Sequence, residues 1–490
     1  MNYYMRPEYE TIRTMDVMLD YINERCHEED AFCYREGDGF ATVSRPKFRE
    51  DCLKAAAYFK DLPVERVAIL GENNYIYVVA TFGLACAGKV AVLMDRGAAP
   101  EEFVQMLQTT RCPMMLYTDL YGKAGEKFGA SGMCRTLSFN DFYATISELE
   151  PCEDLKPNDP DDVAMIFFTS STTGNRKAVP LTHGNISADL FNASKRIAGG
   201  GKIISALPYF HCFGYIVSLL IPLVNGCTVF INDTLTNLPR DFKYCQTMLM
   251  PAVPGIIEML AKVTRGKKNP EALKALLGPN FKMFISGGGA LNKDVRRLYE
   301  SIGVEMWEGY GITECASVVT FNNEPATYGY SLATAIDGCE IKIAEDGEIL
   351  VRGDNVATCY DNAPEETAKA FTDGWFHTGD LGEIDEKGQL HIIGRIKKLI
   401  ILSNGENIPA EPLEELVYQL PYVQDALVHE VDGAIAAEVY FYKEAGDQTE
   451  QFKQDMETIN QSLPVNRRMT KLIVRQEEFA KTSSGKIKIR

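Results

Sequence analysis

The sequence predicts an α/β protein: a large N-terminal region of parallel sheets covered by helices, a small antiparallel sheet or barrel, and a terminal α+β unit. Three observations carry this. Apolar strand-like runs alternate with amphipathic helical runs over 64–119 and resume over 163–286. After about residue 334 the texture changes to short segments between Asp-Gly and Lys-Gly turns. From Leu399 onward a last stretch mixes three strands with two helices and is long enough to form its own core.

In order, 67–70 reads as an apolar strand, and 74–87 as a helix with an apolar face, ended by Gly88. Strand 90–94, helix 100–108 and strand 114–118 follow. Strands are then expected at 163–168, 203–206, 228–231, 247–250 and 282–286. The apolar run 212–224 contains Pro222 and is shorter than the roughly 18–20 residues a membrane span needs, so it reads as a buried helix. Asp337-Gly338, Asp346-Gly347, Asp373-Gly374 and Lys387-Gly388 mark hairpin turns, with strands at 341–343, 348–351 and 390–393. The terminal unit has strands at 399–402, 426–431 and 436–442, and helices at 412–419 and 449–462.

Composition narrows the function classes. With 490 residues, two or more domains are expected. The net charge of −18 argues against a nucleic-acid partner, which needs a basic face. Small anionic ligands require only local cations and oriented N–H groups. The 13 cysteines are odd in number and include no C-x-x-C pair, the pattern of reduced thiols in a cytosolic protein. The first ten residues lack the charged-then-apolar layout of a signal peptide, so a cytoplasmic location without integral membrane association is expected. Six scattered histidines show no metal-ligand spacing.

Four segments carry candidate chemistry. Thr169-Ser170-Ser171-Thr172-Thr173-Gly174, with Lys177 close behind, follows a buried strand. Five hydroxyls in a row are poor core and poor helix formers, but they suit phosphate oxygens, with backbone N–H groups and the lysine adding charge. The Walker pattern is absent, and a plain Ser/Thr-rich turn has the same composition. Glu308-Gly309-Tyr310-Gly311-Ile312-Thr313-Glu314 sets a hydroxyl beside a carboxylate, oxygen ligands of the kind a hard cation prefers. A tight turn is the alternative. Just upstream, Gly288, Gly289 and Ala290 end a glycine run that permits close approach of a flat ligand. Asp380, followed by Ile392 and Arg395, offers a carboxylate for vicinal ribose hydroxyls, although each charge alone reads as surface. Lys486 in Ser484-Gly485-Lys486 reads as a tail residue when taken alone.

Taken together and in order, these segments resemble the adenylate-forming superfamily that includes acyl-CoA synthetases, adenylation domains of peptide synthetases and beetle luciferases. The resemblance spans nearly the whole chain. It implies a large domain over 1–396 and a small mobile one over 397–490, hinged at Lys397. It implies that residues 169–174 and Lys177 form a phosphate loop, that Thr313 meets the α-phosphate, and that Glu314 holds Mg²⁺. Tyr310 then stacks near the adenine, with Glu308, Gly309 and Gly311 beside it in the nucleotide site and Glu308 also bordering the acyl pocket. Asp380 takes the ribose hydroxyls with Arg395 nearby, and Lys486 is the lysine of the first half-reaction. His211, in Leu207-Pro208-Tyr209-Phe210-His211, falls beside the acyl carbon. Gly405, in Ser403-Asn404-Gly405-Glu406-Asn407, lies in the loop used in the second half-reaction.

The implied activity is ATP-dependent activation of a carboxylic acid as acyl-adenylate, then transfer to the thiol of CoA. The texture around Trp307 and Ile400 is most like bacterial fatty-acid and long-chain acyl-CoA ligases. Segments expected near the acyl group carry no aspartate for an ammonium group, favouring a fatty or aryl acid over an amino acid. Two alternatives stay open: a freestanding ligase that loads a phosphopantetheinyl carrier protein, and a nucleotide-binding protein without turnover. The departures bear on the second. Ser171 and Ala178 stand where the family usually has glycine, Arg176 where it has proline, and Cys359 replaces a glycine before Tyr360.

Overall fold

The computed structural model describes residues 11–25, 30–169, 176–197, 199–265, 270–321, 334–402, 407–481 and 487. These fall into two compact units. One is drawn from residues up to 169, 176–340 and 351–376; the other from 341–350 and 377 onward.

The larger unit is built on two sheets. The six-stranded one runs Arg135–Ser138, Met114–Tyr117, Arg66–Leu70, Val90–Leu93, Val163–Phe168, Ala178–Thr182. Its first five strands are parallel, as the strand–helix alternation demands. The sixth returns antiparallel to Val163–Phe168. That last strand contains Pro180, which lacks an N–H and so sits on an edge strand where one side needs no partner.

The eight-stranded sheet runs Thr320–Phe321, Glu305–Tyr310, Met283–Ser286, Leu249–Ala252, Lys202–Ser205, Thr228–Ile231, Asp30–Glu36, Gly39–Ser44. It is parallel inside and antiparallel at both edges. The third interior strand, read from sequence as 247–250, extends to Ala252 through Pro251. This is tolerated because its pairing with Lys202–Ser205 is made at Leu249, while Pro251 faces Ile285 on the other neighbour.

Two helices are buried from end to end or nearly so. Tyr75–Cys86 is capped by Asn74, whose side chain accepts from the Tyr77 N–H. His183–Ser194 is buried at every position and opens on a reciprocal cap between Thr182 and Asn185. The apolar run read as a buried helix is one. It begins as a wide π-helical segment, Phe213–Leu220, and tightens to α over Ile221–Val224. Such segments concentrate at functional sites.

The Asp-Gly and Lys-Gly turns are where the sequence puts them: Gly338, Gly347, Gly374 and Gly388 all have positive φ. At Asp373-Gly374 both residues do, the two-residue hairpin geometry that matches strand twist, and Thr372 duly pairs with Trp375. Strands Cys339–Ile343, Glu348–Gly353, Trp375–Ile384 and Phe371–Thr372 form one sheet, with Leu390–Arg395 pairing along Trp375–Ile384. In the smaller unit, Val423–Val431, Ala434–Phe441 and Lys471–Val474 form a three-stranded sheet. Leu413 and Val417 from helix Glu411–Tyr418, and Phe452 and Met456 from helix Thr449–Ser462, share its core. Among the described residues, no helix is long and apolar enough to cross a membrane.

Candidate active site

The hydroxyl-rich segment leaves from an edge pair of strands. Thr169 donates its N–H to the Lys177 carbonyl at 3.0 Å, and its Oγ1 accepts from the Lys177 N–H at 3.2 Å. The two ends of the segment are thus closed as one more rung of the ladder. Ser170, Ser171, Thr172, Thr173 and Gly174 lie outside the described residues. Arg176, the family departure, is nearly buried and bonded: Nη1 to Asp95 at 2.5 Å and Nε to Glu102 at 3.4 Å. Asp95 itself accepts from the Gly97 N–H, and Glu102 from the Ala99 N–H. Arg176 therefore ties the outgoing end of the loop to a rigid turn and a helix start.

Glu308, Gly309 and Tyr310 end the strand Glu305–Tyr310. Glu308 accepts from Arg296 at 2.9 Å, and burial pushes its carboxyl above the usual range against that pull. Gly311 is obligatory: a Cβ there would stand 1.4 Å from the Ser317 carbonyl oxygen. The close approach folds Thr313–Cys315 into a tight turn and leaves Ala316 and Ser317 at positive φ. Glu314, at the turn's centre, is buried and accepts from the Tyr360 hydroxyl at 2.7 Å. Lys177 Nζ lies 4.1 Å from the centre of the Tyr360 ring. The outgoing lysine of the loop and the carboxylate of the second motif thus meet on one side chain.

His211 is brought to the same turn through its neighbour. The Cys212 thiol lies 3.8 Å from Thr313 Oγ1, and burial pushes that thiol up to about 12. Asn73 clamps the segment carrying His211, donating to the Leu207 carbonyl at 2.7 Å and accepting from the Tyr209 N–H at 2.9 Å. Ser286 leads into the glycine run, where a Cβ on Gly287 would lie 3.1 Å from the Phe213 ring. Gly288, at φ 80°, adjoins Val253, Gly289 adjoins Pro254, and Ala290 is exposed.

In the smaller unit Asp380 is buried and bonds Arg395 Nε at 2.9 Å across the strand pair, in direct register. Ile392 faces Gly382 on the same pair. Lys397 sits exposed in the turn Ile396–Lys398 that ends it. Gly405 and Lys486 lie outside the described residues; Lys481 and Ile487, which flank Lys486, form an isolated antiparallel bridge.

Arg176, Asp95, Glu102, Tyr360, Asn73 and Cys212 were not marked by the sequence as site residues. The odd Arg176 and Cys359 next to Tyr360 were the available signals. Asn73 looks like part of the helix cap formed by Asn74.

The described residues contain no group of three or more His, Cys, Asp or Glu side chains fit to hold a metal. A single carboxylate joined by substrate phosphates is, however, what Mg²⁺ usually takes. Glu314, buried and oriented at the turn, fits that demand.

Feruloyl-CoA synthase of Amycolatopsis sp is 27% identical over 390 residues, spanning 75% of both chains. The 2-succinylbenzoate–CoA ligase of Listeria monocytogenes is 27% identical over 438 residues, spanning 86% of this chain and 87% of that one. The o-succinylbenzoate CoA synthetase of Bacillus subtilis, solved with its acyl-adenylate intermediate, has the same fold: TM-score 0.83 at 22% identity, over 96% of each chain. Residues 21–361, which hold the loop ends, the Thr313-Glu314 turn and Tyr360, match the model of the AMP-binding enzymes, and the chain belongs to that family.

Proposed function

We propose that the chain joins a fatty or aryl carboxylic acid to CoA in two steps, consuming ATP. The acid's carboxylate attacks the α-phosphorus, forming a mixed anhydride and releasing pyrophosphate. The CoA thiol then attacks the activated carbonyl, AMP leaves, and the thiol proton passes to solvent. The observation that carries the reading is the meeting of Lys177, Glu314 and Thr313 around one turn, with the His211 segment against it.

Each residue has a part. The 169–174 segment and Lys177 cradle the phosphates, and Thr313 donates to the α-phosphate. Glu314 holds Mg²⁺, which when bound draws negative charge from the phosphate oxygens. Glu308, Gly309, Tyr310 and Gly311 form the edge on which adenine lies. Asp380 accepts from both ribose hydroxyls, its orientation set by Arg395. Lys486 adds positive charge where it develops in the first step. The 397–490 segment turns at Lys397 between steps, withdrawing Lys486 and presenting Gly405. His211 borders the acyl carbon.

The test is acid-dependent exchange of labelled pyrophosphate into ATP, run over a panel of fatty and aryl acids with and without CoA. Exchange with one class, and thioester only when CoA is added, is the expected result. Thioester that forms on a carrier protein and not on CoA would replace the acceptor. ATP binding without exchange for any acid would leave a nucleotide-binding protein without turnover.

A further inference from the structure

Tyr360 touches both charged partners of the nucleotide site with different parts of one side chain. Its hydroxyl donates to Glu314 Oε1 at 2.7 Å, and its ring face receives Lys177 Nζ at 4.1 Å from the centroid. The side chain is buried, with Phe371 edge-on at 5.5 Å. The backbone around it is stitched to the same two elements. The Ala357 N–H donates to the Glu314 carbonyl at 2.8 Å, and the Asp361 N–H to the Ala178 carbonyl at 2.9 Å. Asp361 is gripped by both terminal nitrogens of Arg66, at 2.7 and 3.0 Å, and the Tyr360 N–H donates to Thr367 Oγ1 at 2.9 Å. A strap fixed this firmly is more than core filling.

We infer that Tyr360 is the positioning residue that orients the Glu314 carboxylate for the divalent cation and parks the Lys177 ammonium beside it; the inference rests on the roles given to those two residues above. A hydroxyl donating to a carboxylate pins that carboxylate's rotation. The same donation leaves the phenol oxygen richer in electrons, which strengthens the hold of the ring face on a cation. The two contacts therefore support each other, and a phenylalanine supplies only one of them.

The test reads binding, not turnover. ATP affinity is titrated calorimetrically across a series of Mg²⁺ concentrations for wild type, Tyr360→Phe and Tyr360→Leu, with melting temperatures taken in parallel. Tyr360→Phe is expected to raise the Mg²⁺ midpoint on the order of tenfold, while ATP affinity without Mg²⁺ stays near wild type. Tyr360→Leu is expected to weaken ATP at every Mg²⁺ concentration. Thr367→Val, which loosens the strap and keeps the tyrosine, should shift the Mg²⁺ midpoint the same way by a smaller factor. An unchanged Mg²⁺ midpoint in Tyr360→Phe and Thr367→Val, or a uniform loss at all Mg²⁺ concentrations in both, overturns the inference. Wild type that binds no ATP with or without Mg²⁺ would instead sink the functional reading beneath it.

Discussion

His183 opens a helix that is buried throughout, and its Nδ1 accepts the Met15 N–H at 3.0 Å. Burial lowers its folded-state pKa to about 4 from 6.5. Above pH 6.5 the ring is neutral in both folded and unfolded chains, so the full stability is present. As pH falls from 6.5 toward 4, the unfolded chain takes up the proton and the folded one does not, so stability drains away until the folded ring titrates too. The loss approaches about 3 kcal/mol. His183→Asn keeps an acceptor near the Met15 N–H and removes the titration. Denaturant midpoints for this variant should therefore depend less on pH between 6.5 and 4 than those of wild type; parallel profiles would assign the acid loss elsewhere. At this scale the sequence exposes residues whose neighbours in the chain share their work. Gly311 is visible beside Gly309, Thr313 beside Glu314. Tyr360 and Asn73 are not, because their partners stand 46 and over 130 positions away.

Between Val163–Phe168 and Ala178–Thr182 the chain makes a hairpin whose long loop is the hydroxyl-rich segment. A hairpin loop is only as steady as its stems, and here the outgoing stem is held by the Arg176 ion pairs. Where the family has proline to stiffen this point by covalent means, Arg176 does so by charge. Arg176→Ala leaves the buried Asp95 without its ion-pair partner Arg176, at a cost of about 3 kcal/mol. The variant should melt earlier and bind ATP more weakly, with little change in affinity for the acid; equal ATP affinity would confine the clamp to stability. Ala178, which the family pattern makes suspect, is buried in the stem and pairs with Phe168, a place where a small side chain fits the sheet. Elements such as Val163–Phe168 and Thr449–Ser462 were legible because periodicity and end signals agreed. Asp30–Glu36 was not, although a local turn at Gly37-Asp38 joins it to Gly39–Ser44; its parallel partner Thr228–Ile231 lies about two hundred residues on.

For the molecule as a whole, the order of segments was more informative than any segment. An α/β core, a turn-rich middle and an α+β end follow from alternation and turn chemistry. The chemistry follows from short motifs arriving in a fixed order. Division of labour between the two steps is the prediction that belongs here. Lys486→Ala should slow acyl-adenylate formation by orders of magnitude, yet leave thioester formation from supplied acyl-adenylate near wild type. Equal loss in both would refute a lysine reserved for the first step. One further consequence lies in how the thiols are distributed. Ten of the twelve described cysteines are buried, and none of the chain's 13 lies beyond Cys359. Those ten sulfurs are therefore shielded clocks, each alkylated only as fast as its surroundings open, whereas Cys152 and Cys359 are half-buried. A single cysteine engineered onto the surface of 377–490 would react ahead of those ten, giving the C-terminal part of the chain a spectroscopic address of its own without stripping the buried thiols away.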